Sequence, residues 1–173
     1  LGYAGAKDID LTGLLDSGDA FGTGLSLSGN TLAAVAEHDA GILNDQVDAG
    51  AAHLFTFTDS VFSGATQVGT IGYGYTGASS LDLSSVSDFV AGDWLQGVSH
   101  EGTQMALSAW FDGGFGDVAP DSGAVYLLTF ANSDFLTPTL QATIGAGYGI
   151  DIATLDAGDE ISGVSLDANR LAI

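Results

Sequence analysis

The sequence has no cysteine, and Lys7 and Arg170 are its only Lys or Arg residues. Without cysteine, neither a disulfide nor a thiolate metal site can form. Nucleic acids and anionic membrane surfaces are bound mainly through Lys and Arg, so we expect no nucleic-acid partner. The apolar runs are also shorter than the roughly 18 residues of a membrane helix, so we expect no membrane insertion.

The N-terminus lacks an initiator Met and the basic and apolar segments of a signal peptide. We therefore expect a processed product or a piece of a longer protein. Acidic residues number 22, and the net charge is −20. All but three of them (Glu37, Glu101 and Glu160) are Asp, a residue that favours turns and metal-binding loops. This composition predicts acid-rich turns in a secreted or cell-surface protein, with cations as natural partners; the alternative is an acidic coat that only keeps the protein soluble.

An internal repeat organises the chain. The segment 48–75 matches the segment 121–148 without a gap, at an offset of 73 positions. The segment 28–41 matches 101–114 at the same offset, and a third copy begins near Gly147 and stops early. We therefore divide the chain into unit 1 (1–71), unit 2 (72–144) and a partial unit 3 (145–173).

Each full unit contains four candidate strands separated by Gly, Asn and Asp turns, and unit 3 contains two. The third strand, at 52–58 and again at 125–131, is largely apolar on both faces, as expected for a sheet covered on both sides. The pattern predicts an all-β fold of β-propeller-like blades, each of four antiparallel strands, as two complete units plus a half unit. A β-sandwich of hairpins is the alternative. In either case we expect burial of the paired residues Leu54 and Leu127, and Phe57 and Phe130.

Two segments resemble the FG-GAP repeat, the blade unit of integrin α-subunit propellers. They are Phe21–Ala33 (FGTGLSLSGNTLA) and Asp121–Leu127 (DSGAVYL), the latter similar to a strand of long bacterial FG-GAP-like proteins. The resemblance implies a propeller-like fold, an extracellular setting, and roles in adhesion and calcium binding. The family's Asp-x-Asp-x-Asp-Gly calcium loop is absent, and a tight turn at 28–30 stands in its place, so the family's ligands match no residue here.

The loops between the second and third strands are the best candidate metal sites. They span residues 37–50 and 110–123, and three oxygen-bearing residues recur in them at fixed positions. Calcium takes six to eight oxygen ligands, some of them from backbone carbonyls and water. The pattern predicts calcium sites in both loops, and the alternative is that these residues only shape turns. The candidate ligands are Asp39, Asn44 and Asp48 in unit 1 and Asp112, Asp117 and Asp121 in unit 2.

No nucleophile, zinc-protease or phosphate-loop motif is present, so we expect no enzymatic activity. The leading prediction is a secreted or cell-surface module for adhesion or structural assembly. Its expected partners are other copies of the chain, flanking repeats, or a cell-surface protein or glycan. One alternative is a carbohydrate-binding module that uses Trp94 or Trp110, and another is a fragment of a secreted hydrolase.

Overall fold

The structure is a computed structural model that describes residues 7–173; residues 1–6, the start of predicted unit 1, lie outside the described residues. The predicted all-β class is confirmed. Apart from one short 3-10 turn at Leu83–Ser85, the regular elements within these residues are β-strands. In chain order the strands are β1 (Phe21–Ser28), β2 (Thr31–Ala36), β3 (Ala51–Thr56), β4 (Thr66–Gly72), β5 (Leu81–Asp82), β6 (Leu95–Glu101), β7 (Gln104–Ala109), β8 (Ala124–Thr129), β9 (Thr139–Gly145), β10 (Ile150–Asp151), β11 (Ser165–Asp167) and β12 (Arg170–Ala172).

The strands form two five-stranded sheets and one hairpin. The first sheet has the order β1-β2-β3-β4-β5, the second has the order β10-β9-β8-β7-β6, and β11 pairs with β12. Four strands of each sheet are antiparallel, as predicted. The fifth strand, β5 or β10, is a two-residue strand that the sequence did not predict, and it pairs in parallel with the fourth. The sheets are open within the described residues, and their arrangement is compatible with propeller-like blades or a β-sandwich.

Tight turns hold the first two strands of each unit together. Gly29 and Gly102 adopt left-handed backbone conformations, with φ of 58° and 57°, between β1 and β2 and between β6 and β7. Glycine has no Cβ to clash there, so it suits such a turn. In unit 3 the equivalent position is Ala168, also left-handed, with φ of 48°.

The two sheets pack face to face through a single hydrophobic core. The first sheet contributes small side chains from β2, including Ala33 and Val35, and the second contributes the larger Leu107 and Tyr126. Strands β1 and β2 both contact β6, the first strand of the second sheet. Leu54 and Ile71 of the first sheet belong to the same core, so side chains of both sizes fill the space between the sheets.

A third layer covers the other face of the second sheet. Val125 and Ile144 of that sheet pack against Ile161 and the hairpin residue Leu166. Strand β11 contacts β6 and β7, much as β6 contacts β1 and β2. The chain is therefore a stack of units in which the first strand of each unit lies on the first two strands of the unit before it.

The burial predictions hold for two of the four residues. Leu54 and Phe130 are buried, whereas Leu127 and Phe57 are only partly buried. Leu127 lies on the face of the second sheet that is covered by the two-stranded hairpin and the irregular segment before it. Phe57 lies beyond the end of β3, where its ring meets Phe62 edge to face.

Equivalent leucines in the third strand of each unit should therefore differ in their contribution to stability. We expect Leu54→Ala to lower the free energy of unfolding by roughly 2–5 kcal/mol, since it leaves a cavity between two sheets. Leu127→Ala should cost clearly less, because its side chain already meets solvent. Urea denaturation of both variants measures the difference, and equal losses would contradict the layered packing described above.

Candidate functional site

The first predicted metal ligand of unit 1, Asp39, is a buried carboxylate that is hydrogen-bonded by protein donors. Gly41 N donates to its Oδ1 at 2.8 Å, and the Tyr75 hydroxyl donates to both oxygens at 2.9 and 3.0 Å. His53 Nε2 lies 3.2 Å from Oδ2. Asp39 thus joins its loop to β3, through His53, and to the segment that follows β4, through Tyr75.

Asp112 repeats this arrangement in unit 2. Gly114 N donates to its Oδ1 at 2.8 Å, and the Tyr148 hydroxyl lies 3.1 Å from each oxygen. Tyr126 takes the place of His53 and donates to Oδ2. The sequence correctly paired Asp39 with Asp112, and both carboxylates accept hydrogen bonds from a loop glycine and from a tyrosine that follows the fourth strand. They differ at the third strand, where Tyr126 donates a hydrogen bond to Asp112 and His53 lies beside Asp39.

The other four predicted ligands share a backbone conformation. Asn44, Asp48, Asp117 and Asp121 all have left-handed backbones, with φ of 55°, 56°, 55° and 58°. Asn and Asp tolerate this region better than most residues. The turn geometry alone is therefore sufficient to explain why Asn or Asp recurs at these positions.

Unit 1 brings several of its acids to one open cleft. Asp16, Asp19, Asn44 and Asp48 line this cleft, which we call the unit 1 cleft, together with His38. His38 Nδ1 lies 3.0 Å from Asp48 Oδ1, and the Asn44 amide donates to Asp16. Asp39 lines an adjoining cavity that shares Asp16, Asp19 and Asn44. Across residues 7–173, no three His, Cys, Asp or Glu side chains converge in a group that could hold a metal ion.

A Gly-Asp turn precedes the first strand of every unit, and in each the Asp carboxylate accepts a hydrogen bond from the backbone N–H three residues earlier. The three bonds are Asp16 N to Asp19 at 2.6 Å, Val90 N to Asp93 at 2.7 Å, and Asp156 N to Asp159 at 2.8 Å. The recurrence of this acid is therefore explained by a turn that bonds its own backbone.

The sequence did not predict a further recurrent carboxylate, which lies in the short fifth strand of each sheet. Asp82 in β5 accepts hydrogen bonds from Gly74 N at 2.8 Å and from Ser84 N at 3.1 Å. Asp151 in β10 accepts a hydrogen bond from Gly147 N at 3.0 Å. The glycines are 73 positions apart but the acids only 69, so the fixed repeat offset hid the match. A search for Asp after each Gly-Tyr pair could have found it.

Two buried acids of unit 2, Asp93 and Asp112, have pKa values that burial raises. Burial raises the pKa of Asp93 to about 8, opposed by the hydrogen bond from Val90 N and reinforced by the nearby charges of Asp112 and Asp117. Burial also raises the pKa of Asp112 and, in unit 1, that of Asp19. These carboxyls resist ionisation because their low-dielectric surroundings disfavour the charged form.

The contact between successive units also occurs twice, with equivalent hydrogen bonds. His100 N donates to the Ser26 hydroxyl at 2.9 Å, and Leu166 N donates to the Ser99 hydroxyl at 3.0 Å. Ser26 and Ser99 occupy the same position of β1 and β6. Each unit therefore offers a serine in its first strand to the first strand of the next unit.

Backbone groups strengthen the same contact. The Asp48 carbonyl accepts a hydrogen bond from Trp94 N at 3.1 Å, and the Asp121 carbonyl accepts one from Glu160 N at 3.3 Å. Two of the residues predicted as metal ligands thus help to join one unit to the next. Close approach also depends on glycine: a Cβ on Gly50 would lie 2.6 Å from Leu95 N.

Both tryptophans lie in one half-buried aromatic row that crosses the contact between units. His38 and Trp94 meet edge to face at 4.6 Å between ring centroids, and the Trp94 and Trp110 centroids are 6.4 Å apart. Phe111 stacks on Trp110 at 5.0 Å. The Trp110 indole N–H donates to Glu160 at 3.0 Å. The row thus combines aromatic faces with one exposed carboxylate, that of Glu160.

No protein family, curated protein or solved structure matched this chain. Among residues 7–173, no helix has the length and apolarity needed to cross a membrane.

The raised pKa of Asp93 predicts a specific pH dependence of stability. Between pH 3.8 and about 8 the folded protein retains a proton that the unfolded chain has released. The free energy of unfolding should therefore fall as the pH rises through this window. Asp93→Asn, which keeps an acceptor for Val90 N, should flatten the dependence and raise the melting temperature near pH 8.

The control is Asp134→Asn, which changes an exposed carboxylate and should leave the pH dependence intact. Thermal melts of the three proteins at pH 4 to 8 make the comparison. A pH dependence unchanged in Asp93→Asn would show that this carboxyl does not carry it.

Proposed function

We propose that this chain is an extracellular, non-enzymatic repeat module for adhesion or structural assembly. The observation that carries the proposal is the contact between units, which is built twice with the same hydrogen bonds. Ser26 meets His100 N, and Ser99 meets Leu166 N. A contact that recurs in this way suits a protein whose role is to stack units into an extended surface.

The charge of the chain supports an extracellular role. With a net charge of −20 and only two Lys or Arg residues, the surface suits cations and repels nucleic acids and anionic membranes. The segments that resemble FG-GAP repeats include β1 and the first parts of β2 and β8, which belong to the stacked sheets. The resemblance supports an adhesive role on the same strands.

Calcium is the proposed cation, and the unit 1 cleft is its proposed binding site. Asp16, Asn44 and Asp48 bring side-chain oxygens to this cleft, alongside the buried Asp19. The remaining coordination of a bound calcium would come from backbone carbonyls and water. By contrast, Asp39 and Asp112 are hydrogen-bonded inside the protein and act as supports for their loops.

Carbohydrate binding is the second candidate function, and the aromatic row favours it. Trp94 and Trp110 come from different parts of unit 2 and lie side by side, with Glu160 bonded to the Trp110 indole. Aromatic faces pack against the apolar faces of sugar rings, and a carboxylate accepts hydrogen bonds from their hydroxyls.

Adhesion can be tested by displaying the chain on a bacterium that does not otherwise adhere. We expect the displayed chain to increase binding to cell-coated surfaces, and Trp110→Ala to leave this binding unchanged. If Trp110→Ala or a soluble oligosaccharide abolishes the binding, the carbohydrate function replaces the assembly function. No gain in binding over the empty display host would contradict adhesion.

Calcium should raise the melting temperature, because a ligand that binds the folded state stabilises it. We expect millimolar calcium to stabilise a metal-free sample more than magnesium at the same ionic strength. The double variant Asp16→Asn with Asp48→Asn should abolish this gain. The matched control, Asp45→Asn with Asp134→Asn, removes the same charge from exposed sites and should keep it. A gain of equal size in both double variants would assign the effect to the acidic surface as a whole.

A further inference from the structure

The first strand of unit 1 exposes an apolar surface that its counterpart in unit 2 buries. We call Phe21, Leu25 and Leu27 the head surface; their exposed fractions are 39%, 62% and 53%. Strand pairing makes Leu95, Val98 and His100 their equivalents in β6, and these are 0%, 9% and 5% exposed. In unit 2 it is the sheet of unit 1 that covers these positions.

The rest of the same face of unit 1 is already covered. His53 and Phe55 of β3 are buried, and the Phe21 ring lies 5.9 and 6.2 Å from theirs. The most exposed apolar side chains of this face are therefore on β1, beside the partly buried Leu32 of β2. In unit 2 the corresponding strand, β6, is covered mainly by two strands of the preceding unit, β1 and β2. An occupant of the head surface thus needs to supply only the first two strands of a unit.

Unit 3 supplies such a pair of strands at the other end of the stack. Strands β11 and β12 correspond to β1 and β2, and Ser165 stands where Ser26 and Ser99 stand in the earlier units. We call Gly163 and Ser165 the tail surface. Ser165 is exposed, whereas Ser26 and Ser99, which accept hydrogen bonds from the next unit, are partly buried.

Gly163 indicates that the tail surface has room for a further strand. A Cβ on the equivalent Gly24 would lie 2.4 Å from Gln96 O, and one on Gly97 would lie 3.3 Å from Ser162 O. These carbonyls belong to the first-strand segment of the next unit. A Cβ on Gly163 would meet nothing within 4 Å among the described residues. Gly163 is thus equivalent to the glycines that allow the next unit to approach closely, but no described residue occupies the space beside it.

We propose that the tail surface of one copy of this chain binds the head surface of a second copy. In this register the Ser165 hydroxyl accepts a hydrogen bond from Leu27 N, as Ser26 does from His100 N and Ser99 from Leu166 N. The inference rests on the proposed assembly function and names its partner. Because the contact is head to tail, each copy that joins offers a new free surface, and the product is an open chain or a closed ring.

The charge of the chain sets the conditions for association. Each copy carries a net charge of −20, so copies repel one another at low ionic strength. We therefore expect sedimentation of the full chain in physiological or higher salt to give masses that rise with concentration above the monomer mass of 17.4 kDa. A mass that stays at 17.4 kDa at all concentrations and salt levels would overturn the proposal.

Two blocking variants test the direction of the contact. Leu27→Asp places a charge on the head surface, and Gly163→Leu fills the open space of the tail surface; each alone should sediment as a monomer. An equimolar mixture of the two should form a dimer, because the intact tail of one meets the intact head of the other. Leu43→Asp, which alters an exposed leucine outside both surfaces, should associate as the unmodified chain does.

Other outcomes of this test would overturn the inference. If Leu27→Asp is monomeric but Gly163→Leu still associates, the head surfaces pair with each other about a two-fold axis. If the mixture gives no dimer although both variants keep the circular dichroism and melting temperature of the parent, the contact is not head to tail. If the chain adheres when displayed but stays monomeric in solution, the head-to-tail contact is contradicted and the proposed adhesive function is not.

Discussion

The structure depends on the contact between the first strand of one unit and the first two strands of the unit before it. A sheet whose third strand is apolar on both faces cannot leave either face in water. The second sheet covers one face of the first sheet. The other face of the second sheet is covered by the hairpin of unit 3 and the segment before it. The alanines of β2 and the glycines beside the contact keep the layers close enough for Ser26 and Ser99 to accept hydrogen bonds across it.

The buried acids serve the same architecture from within each unit. Asp39 and Asp112 each gather a loop glycine, a side chain of the third strand and a tyrosine that follows the fourth strand. Such hydrogen bonds compensate a carboxyl for its loss of solvent, although burial still raises the pKa of Asp112. Some of the acidic residues therefore have a structural role, and the others are exposed in the loops.

The sequence predicted the strands better than it predicted the site. β3 and β8 begin and end within two residues of the predicted third strands, because the repeat shows the same apolar segment twice. β5 and β10 were missed since two residues give no periodicity, and their offset differs from that of the rest of the unit. At the candidate site, recurrence correctly paired Asp48 with Asp121. It could not distinguish a metal ligand from a residue that a left-handed turn requires, because both demands select Asp or Asn.

The head surface differs from the end of a stack that is adapted to water. Terminal repeats in such proteins carry a polar outer face, since no further unit covers them. Here the surface of unit 1 is at least as apolar as the equivalent surface that is buried inside the stack. Where unit 2 buries His100, whose pKa burial lowers to about 4 and whose ring meets the Thr31 hydroxyl, unit 1 presents Leu27. Burial of a leucine at this position would stabilise the protein by removing apolar surface from water. It would not carry the cost of desolvating a polar ring, which the buried histidine does carry. The first unit is thus better suited to being covered than the unit that the structure already covers.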